Sequence, residues 1–214
     1  MLLDHIDKLY RENISDHIEN YDGSQNKEEF RECVEYLNGC IKNIKEKKIW
    51  FLEIGAYKGL WALAFKVICR ENNKTPGYVT VTWVDHDPNN QDIFNVKKHY
   101  ENHDLSFELI NADSTLHESL KRVVAIRSTY HFVFIDADHS FPSVMKDIKS
   151  YAPLAVNKLF FHDINTKKCG VPKAIDKSGI RLNVKISYGD LMGIGIHNCS
   201  VENVPPAKKI LGIF

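Results

Sequence analysis

No run in this chain is apolar for long enough to span a bilayer, and the opening residues, Met1-Leu2-Leu3-Asp4-His5-Ile6, lack the pattern of a secretory signal. A membrane partner is therefore not expected, and a cytoplasmic location is. Excess charge is also missing: 28 Lys and Arg balance 28 Asp and Glu, which argues against nucleic acid as a partner through bulk electrostatics. The five cysteines (Cys33, Cys40, Cys69, Cys169 and Cys199) are odd in number and scattered, with no C-x-x-C pair. That spacing gives neither a disulfide framework nor a thiolate metal centre, and predicts reduced thiols. Internal repeats and low-complexity segments are absent too. What remains is an ordinary globular composition, 43% hydrophobic and 26% charged over 214 residues, enough for one buried core.

The most informative stretch is residues 49–69. Residues 49–54 are apolar except for Glu53, as suits a strand buried on both faces of a parallel sheet. Gly55-Ala56-Tyr57-Lys58-Gly59 follows, and residues 60–69 are dense in apolar side chains over a helical length. Strand, glycine turn and helix together aim backbone N–H groups and a helix N-terminus at a ligand. The pattern E-x-G-x-x-x-G differs from the dinucleotide fingerprint, because the middle glycine that admits a pyrophosphate is missing.

Ahead of it, Leu3, Ile6, Tyr10 and Ile14 recur at helical spacing, as do Phe30, Val34, Leu37, Ile41 and Ile44, with a turn-rich break over residues 21–26. Residues 1–47 thus read as a helical extension that covers a sheet edge, closes as a lid, or forms a homodimer face. Residues 48–214 form the main domain. There a loop at 72–77 precedes a second strand at 78–84, which ends in Asp85-His86-Asp87. An acid at that place can take both hydroxyls of a ribose, or can simply cap the next helix. A helix on Ile93, Val96 and Tyr100 leads to a third strand at 105–110, then to Asn111-Ala112-Asp113-Ser114 and a helix marked by Leu116, Leu120 and Val124.

A fourth strand, 130–135, ends in Asp136-Ala137-Asp138-His139-Ser140, and a short one, 158–161, ends in His162-Asp163. One acid at a strand end is usually a cap. Five polar residues with two histidines at neighbouring strand ends point to chemistry. A short helix at 170–176 and two closing strands, 181–186 and 192–197, complete the pattern. The alternation of strand and helix from residue 49 predicts right-handed βαβ crossovers and an α/β fold.

In their order, Glu53-x-Gly55-x-x-x-Gly59, Asp85, Asn111-Ala112-Asp113 and Ile135-Asp136-Ala137-Asp138-His139-Ser140 resemble the class I S-adenosylmethionine-dependent methyltransferases. Together with Phe161-His162-Asp163-Ile164 and Gly170-Val171-Pro172-Lys173, they look most like the small-molecule and sugar O-methyltransferases that tailor macrolides. The resemblance implies a Rossmann-like sandwich whose seven-stranded sheet is mostly parallel with the last strand antiparallel. It also implies that S-adenosylmethionine lies across the strand ends. Glu53, Gly55, Ala56, Tyr57 and Gly59 would line the methionine end, Asp85 with His86 the ribose, and Asp113 and Ser114 the adenine. Asp136 would sit near the methyl donor, and His139 matches a general base in some relatives. Metal-dependent relatives carry carboxylates where Asp136 and Asp163 stand. Here His162 and Ile164 flank Asp163 where relatives often have a second acid or amide, which puts a Mg²⁺ ion in doubt.

These residue types suit the reaction. A sulfonium is already activated, so positioning is much of the task, while a sugar or alcohol hydroxyl gains from a base near neutrality. The expected function is O-methylation of a small molecule or a glycosyl group. The alternatives are a nicotinamide-dependent Rossmann oxidoreductase and a non-catalytic module that keeps the fold.

Overall fold

The structure, a computed structural model, describes residues 2–13, 26–86, 91–167, 169–188 and 192–199, without the side chains of Tyr10 and His86. Ile14, the break at 21–25, Asp87, the turn at Gly189 and Asp190, and the tail from Val204 lie outside the described residues. The elements are α1 (Leu2–Asn13), α2 (Lys27–Lys42), β1 (Lys48–Ile54), α3 (Leu60–Glu71), β2 (Thr75–Thr82), α4 (Asp92–Glu101), β3 (Ser106–Asn111), α5 (His117–Ile126), β4 (Tyr130–Ile135), α6 (Phe141–Tyr151), β5 (Ala155–Phe161), α7 (Val171–Ser178), β6 (Val184–Ile186) and β7 (Ile194–Asn198). No described helix is long and apolar enough to cross a membrane.

The strands form one seven-stranded sheet in the order β3-β2-β1-β4-β5-β7-β6. Strands β1 to β5 pair in parallel, and β7 runs antiparallel to both β5 and β6. Because side chains alternate across a strand, each face of the sheet has its own core. Phe51, Tyr78, Phe107, Phe132, Phe134 and Phe160 make one face aromatic, covered by α1 to α4. Their rings stack strand to strand, with Phe51 5.4 Å from Tyr78 and Tyr78 5.4 Å from Phe107. The other face is aliphatic (Leu52, Ile54, Val79, Val81, Val133 and Ile135) and is covered by α5, α6 and α7. Full burial of each such side chain contributes about 1.5–3 kcal/mol. In the N-terminal helices, Ile6, Phe30, Val34, Leu37 and Ile41 are buried in the aromatic core.

Several boundaries differ from the sequence reading: β5 begins at Ala155, three residues early, and β6 only at Val184, three residues late. Residues 75–77 belong to β2, paired with 48–50 of β1, and are not a loop. Gly77 sits under the Trp50 indole, where a Cβ would fall 2.6 Å from the ring, so here the glycine marks close packing and not a turn. At its other end β2 stops at Thr82, and Val84–His86 coil into a 3₁₀ turn. Leu116 lies outside the buried face of α5, which is formed by Ser119, Leu120 and Val123.

Strand order reverses direction between β1 and β4, the switch point beside which open α/β sheets bind ligands. The chain is drawn tight there. The Asp136 amide donates to the Ile54 carbonyl (2.8 Å), and the Gly55 amide donates to the Val81 carbonyl (2.9 Å).

Candidate active site

At this switch point lies a cavity of about 450 Å³, a size in the range of small-ligand sites. Its walls are Gly55 and Tyr57 after β1; Val81, Thr82 and Trp83 at the end of β2; Ala112 to Thr115 after β3; and Asp136, Ala137, Asp138 and Ser143 after β4. Of the residues expected to hold a cofactor, Gly55, Tyr57, Asp113, Ser114 and Asp136 are here. Gly55 has φ +87°, and a Cβ on it would fall 2.2 Å from the Asp136 carbonyl oxygen, so no other residue lets β1 and β4 close this way. Asp113 forms an Asx turn with the Thr115 amide (2.8 Å), which fixes its carboxylate at the cavity wall.

Other expected residues are placed elsewhere. Glu53 does not line the cavity. It is buried on the aromatic face and accepts a hydrogen bond from the Tyr78 hydroxyl. Burial raises its carboxyl to about 8, against the Tyr78 hydrogen bond and with Asp136 adding to the rise. Ala56 is buried in the same core, away from the walls. Gly59 (φ +86°) caps α3 and meets α4, where a Cβ would fall 2.7 Å from Ile93 Cδ1. Asp85 is exposed in the 3₁₀ turn just beyond Trp83, and its Oδ2 accepts from Asn111 Nδ2 (3.0 Å). Trp83 itself, half-exposed on the cavity wall, was missed. Its place in a β-branched run read as strand interior, and only the early end of β2 brings it to the cavity wall.

Beside the cavity the ends of β4 and β5 meet in register, Ile135 opposite Phe161. The first residues past each strand, Asp136 and His162, are therefore neighbours, which brings two acids and two histidines together. His162 Nδ1 lies 3.3 Å from Asp136 Oδ1 and 3.2 Å from Asp163 Oδ2. His139 spans the same pair from the open side, with Nε2 3.4 Å from Asp136 and Nδ1 3.3 Å from Asp163. His162 is buried, while the His139 side chain is 43% exposed. Asp163 adopts φ +56°, a left-handed conformation that Asp tolerates. Asp138 does not join them. It turns back to the Ser140 amide and hydroxyl (2.9 and 2.8 Å), capping its own turn.

The electrostatics follow from this geometry. Burial opposes a charge on His162, but the two carboxylates outweigh it and push its pKa up to about 10. His139 is raised above the ordinary histidine value by its hydrogen bond to Asp136, against burial. Burial pulls both carboxyls upward, yet the histidines hold Asp136 and Asp163 below the usual carboxylate value. Among the described residues His162 Nε2 is buried with no hydrogen-bond partner, and its ring centroid lies 6.5 Å from that of Phe134.

A family profile described as a methyltransferase domain matches residues 52–164, more than half of the chain. The chain belongs to this methyltransferase family. No curated protein matches it. Among solved structures, the methyltransferase PaMTH1 of Podospora anserina, bound to S-adenosylhomocysteine (SAH), is 17% identical with a TM-score of 0.55 over 92% of this chain and 87% of that one. Magnesium protoporphyrin IX methyltransferase from Synechocystis PCC 6803, with bound S-adenosylmethionine, is 10% identical with a TM-score of 0.55 over 91% and 90%. MycE of the mycinamycin pathway, in complex with Mg and SAH, is 12% identical with a TM-score of 0.51 over 78% of this chain and 49% of that one. At these identities the likeness establishes the shared fold.

The two carboxylates expected as metal ligands, Asp136 and Asp163, do converge, with His139 beside them, but both also face His162. Mg²⁺ asks for near-octahedral oxygen ligands. Among the described residues, those whose donor atoms converge are Asp136, His139 and Asp163, one of them a nitrogen ligand. The carboxylate oxygens that would face the ion also face His162 Nδ1 at 3.2–3.3 Å.

Proposed function

We propose that this methyltransferase is S-adenosylmethionine-dependent and methylates a hydroxyl of a small molecule or a glycosyl group. The observation that carries the reading is the placement of His139, half-exposed between two carboxylates, immediately beside the cavity at the switch point. The cavity suits a nucleoside cofactor. It offers the Trp83 indole for an adenine face, the Asp113 carboxylate for its amino group, and glycine-rich backbone at Gly55 for a close approach. Asp85, two residues beyond Trp83, keeps one carboxylate oxygen clear of Asn111 for ribose hydroxyls.

Bound there, S-adenosylmethionine supplies a methyl group already activated on a sulfonium. The protein's own part is to hold the acceptor and take its proton. The acceptor hydroxyl would give its proton to Nε2 of a neutral His139, displacing that nitrogen's 3.4 Å contact with Asp136, as its oxygen takes the methyl group. Asp163, 3.3 Å from Nδ1, would orient the ring as the acid of a catalytic triad does, and Asp136 beside it would help stabilise the imidazolium that results. The products are a methyl ether and SAH.

Calorimetry tests the cofactor half directly. The protein should bind S-adenosylmethionine and SAH but not NAD, and Asp85→Ala should weaken SAH binding about ten- to a hundredfold, the loss of charge-assisted hydrogen bonds worth roughly 1.5–3 kcal/mol. Binding of NAD alone would restore the nicotinamide reading. SAH binding without turnover on any hydroxyl acceptor would favour the non-catalytic module.

A further inference from the structure

We infer that Glu29, in α2 and outside the family-matched region, is a positioning residue that sets Asp163, and through it His139, by way of the segment before β7. This rests on the reading of His139 and Asp163 as working groups of the site. Glu29 is completely buried, and its two carboxylate oxygens divide their work. Oε1 accepts from the Tyr188 amide and Oε2 from the Gly193 amide, both at 3.1 Å. One side chain thus grips both described ends of the β6–β7 connection. A second clasp, from the Tyr188 hydroxyl to Glu32 Oε2 (2.7 Å), comes from the next turn of the same helix.

The gripped segment then reaches the site. The Met192 amide donates to Thr166 Oγ1 (3.1 Å), and the Thr166 hydroxyl donates in turn to Asp163 Oδ1 (2.9 Å). Backbone bonds run alongside, from the Asn165 amide to the Met192 carbonyl and from the Ile164 amide to the Gly193 carbonyl (2.8 and 3.2 Å). A hydroxyl has one proton to donate. Once Met192 fills an acceptor position of Thr166, that proton is aimed at Asp163 Oδ1, leaving Oδ2 to face His139 and His162. The neighbouring residue Phe30 extends a parallel apolar route: its ring meets Trp61 at 4.9 Å, Trp61 meets Phe134 at 5.2 Å, and Phe134 meets His162 at 6.5 Å. Two consecutive residues of α2 therefore brace the two sides of the histidine–carboxylate cluster. Positioning of this kind matters because sub-ångström placement of a proton acceptor decides rate.

Glu29→Gln is the sharp test, because it keeps the volume but turns an amide N–H₂ toward one of the two backbone donors. The readout is the imidazole ¹H–¹³C spectrum of the full chain at one fixed pH, with the His139 signal identified by its loss in His139→Gln. It requires neither cofactor nor acceptor, so failure to bind S-adenosylmethionine would sink the proposed function and leave this inference standing. The expected result is that Glu29→Gln and Thr166→Val each shift the His139 signal in the same direction. The double variant should move it no further, while His99 and His131 stay at their wild-type positions. A wild-type His139 signal in Glu29→Gln, with only the melting temperature lowered, would reduce Glu29 to a structural clamp and overturn the inference. Should Glu29→Gln not fold, Glu29→Asp and Thr166→Val carry the same test, and an unmoved His139 signal in both refutes the relay.

Discussion

Replacing His139 by alanine is expected to lower kcat about a hundred- to ten-thousandfold, the range typical of losing a general base, while SAH affinity stays within a few-fold of wild type. The separation is expected because His139 stands beside the cavity and is not one of its walls. Turnover in the wild type should rise with pH through an apparent pKa above the ordinary histidine value. The ring accepts a proton only when neutral, and its contact with Asp136 keeps it charged to higher pH. EDTA should leave turnover unchanged, since the shared His162 stands where the two carboxylates would otherwise need a cation. The measurement is an initial-rate pH profile on a working hydroxyl acceptor, with His139→Ala and EDTA run in parallel. Full activity in His139→Ala together with complete loss in EDTA would reverse both assignments and make Asp136 and Asp163 metal ligands.

The second large effect is on stability. His162→Leu keeps roughly the same bulk but leaves Asp136 and Asp163 facing each other without their buried partner. Breaking a buried ion pair in this way costs about 3–5 kcal/mol, which for a chain of this size lowers the melting temperature by roughly 10 °C. The pH dependence has a definite sign. The folded pKa of His162 is raised to about 10, so its contribution is complete below the unfolded value of about 6.5 and is lost as pH rises through 10. Asp136 and Asp163 are lowered, so their share is present above the ordinary carboxylate value and disappears as pH falls through their folded values. Thermal melts from pH 6 to 10 should therefore show wild type losing stability along a steeper slope than His162→Leu, which keeps only the contribution of His139. Parallel slopes in the two proteins would mean that His162 is neutral in the fold and that the cluster is held by hydrogen bonds alone.

Much of this site was legible because strand ends are legible. Asp136, Asp138, His139, His162 and Asp163 could be assigned to one edge of the sheet since each follows an apolar run of strand length, and parallel strands deliver their carboxyl ends to the same side. The glycine turn at Gly55 was equally plain. The surroundings of Glu53 were not legible, because one acid in an apolar strand looks the same whether its side chain meets a ligand or a neighbouring Tyr78. Strand position gives the face of the sheet, and Glu53 falls on the face that the aromatic residues fill. Trp83 was hidden for the opposite reason. Its neighbours have strand composition, and the end of β2 is set by the bonds that Asn111 makes to the following turn, the Val84 amide donating to Asn111 Oδ1 (2.9 Å).

Periodicity alone was enough for the alternation of elements, the parallel sheet with its ligand edge, and the five polar residues at two strand ends. Those features depend on local periodicity and on the few ways in which βαβ units can connect. What each polar group faces followed from how the elements pack. His162 lies between two carboxylates, Asp138 turns back to its own cap, and Gly77 yields to Trp50. Glu29, lost among the charges of an amphipathic helix, is buried against the backbone of residues 188 and 193. Contacts between residues more than 150 positions apart depend on how whole elements pack, and no local pattern of residues encodes them.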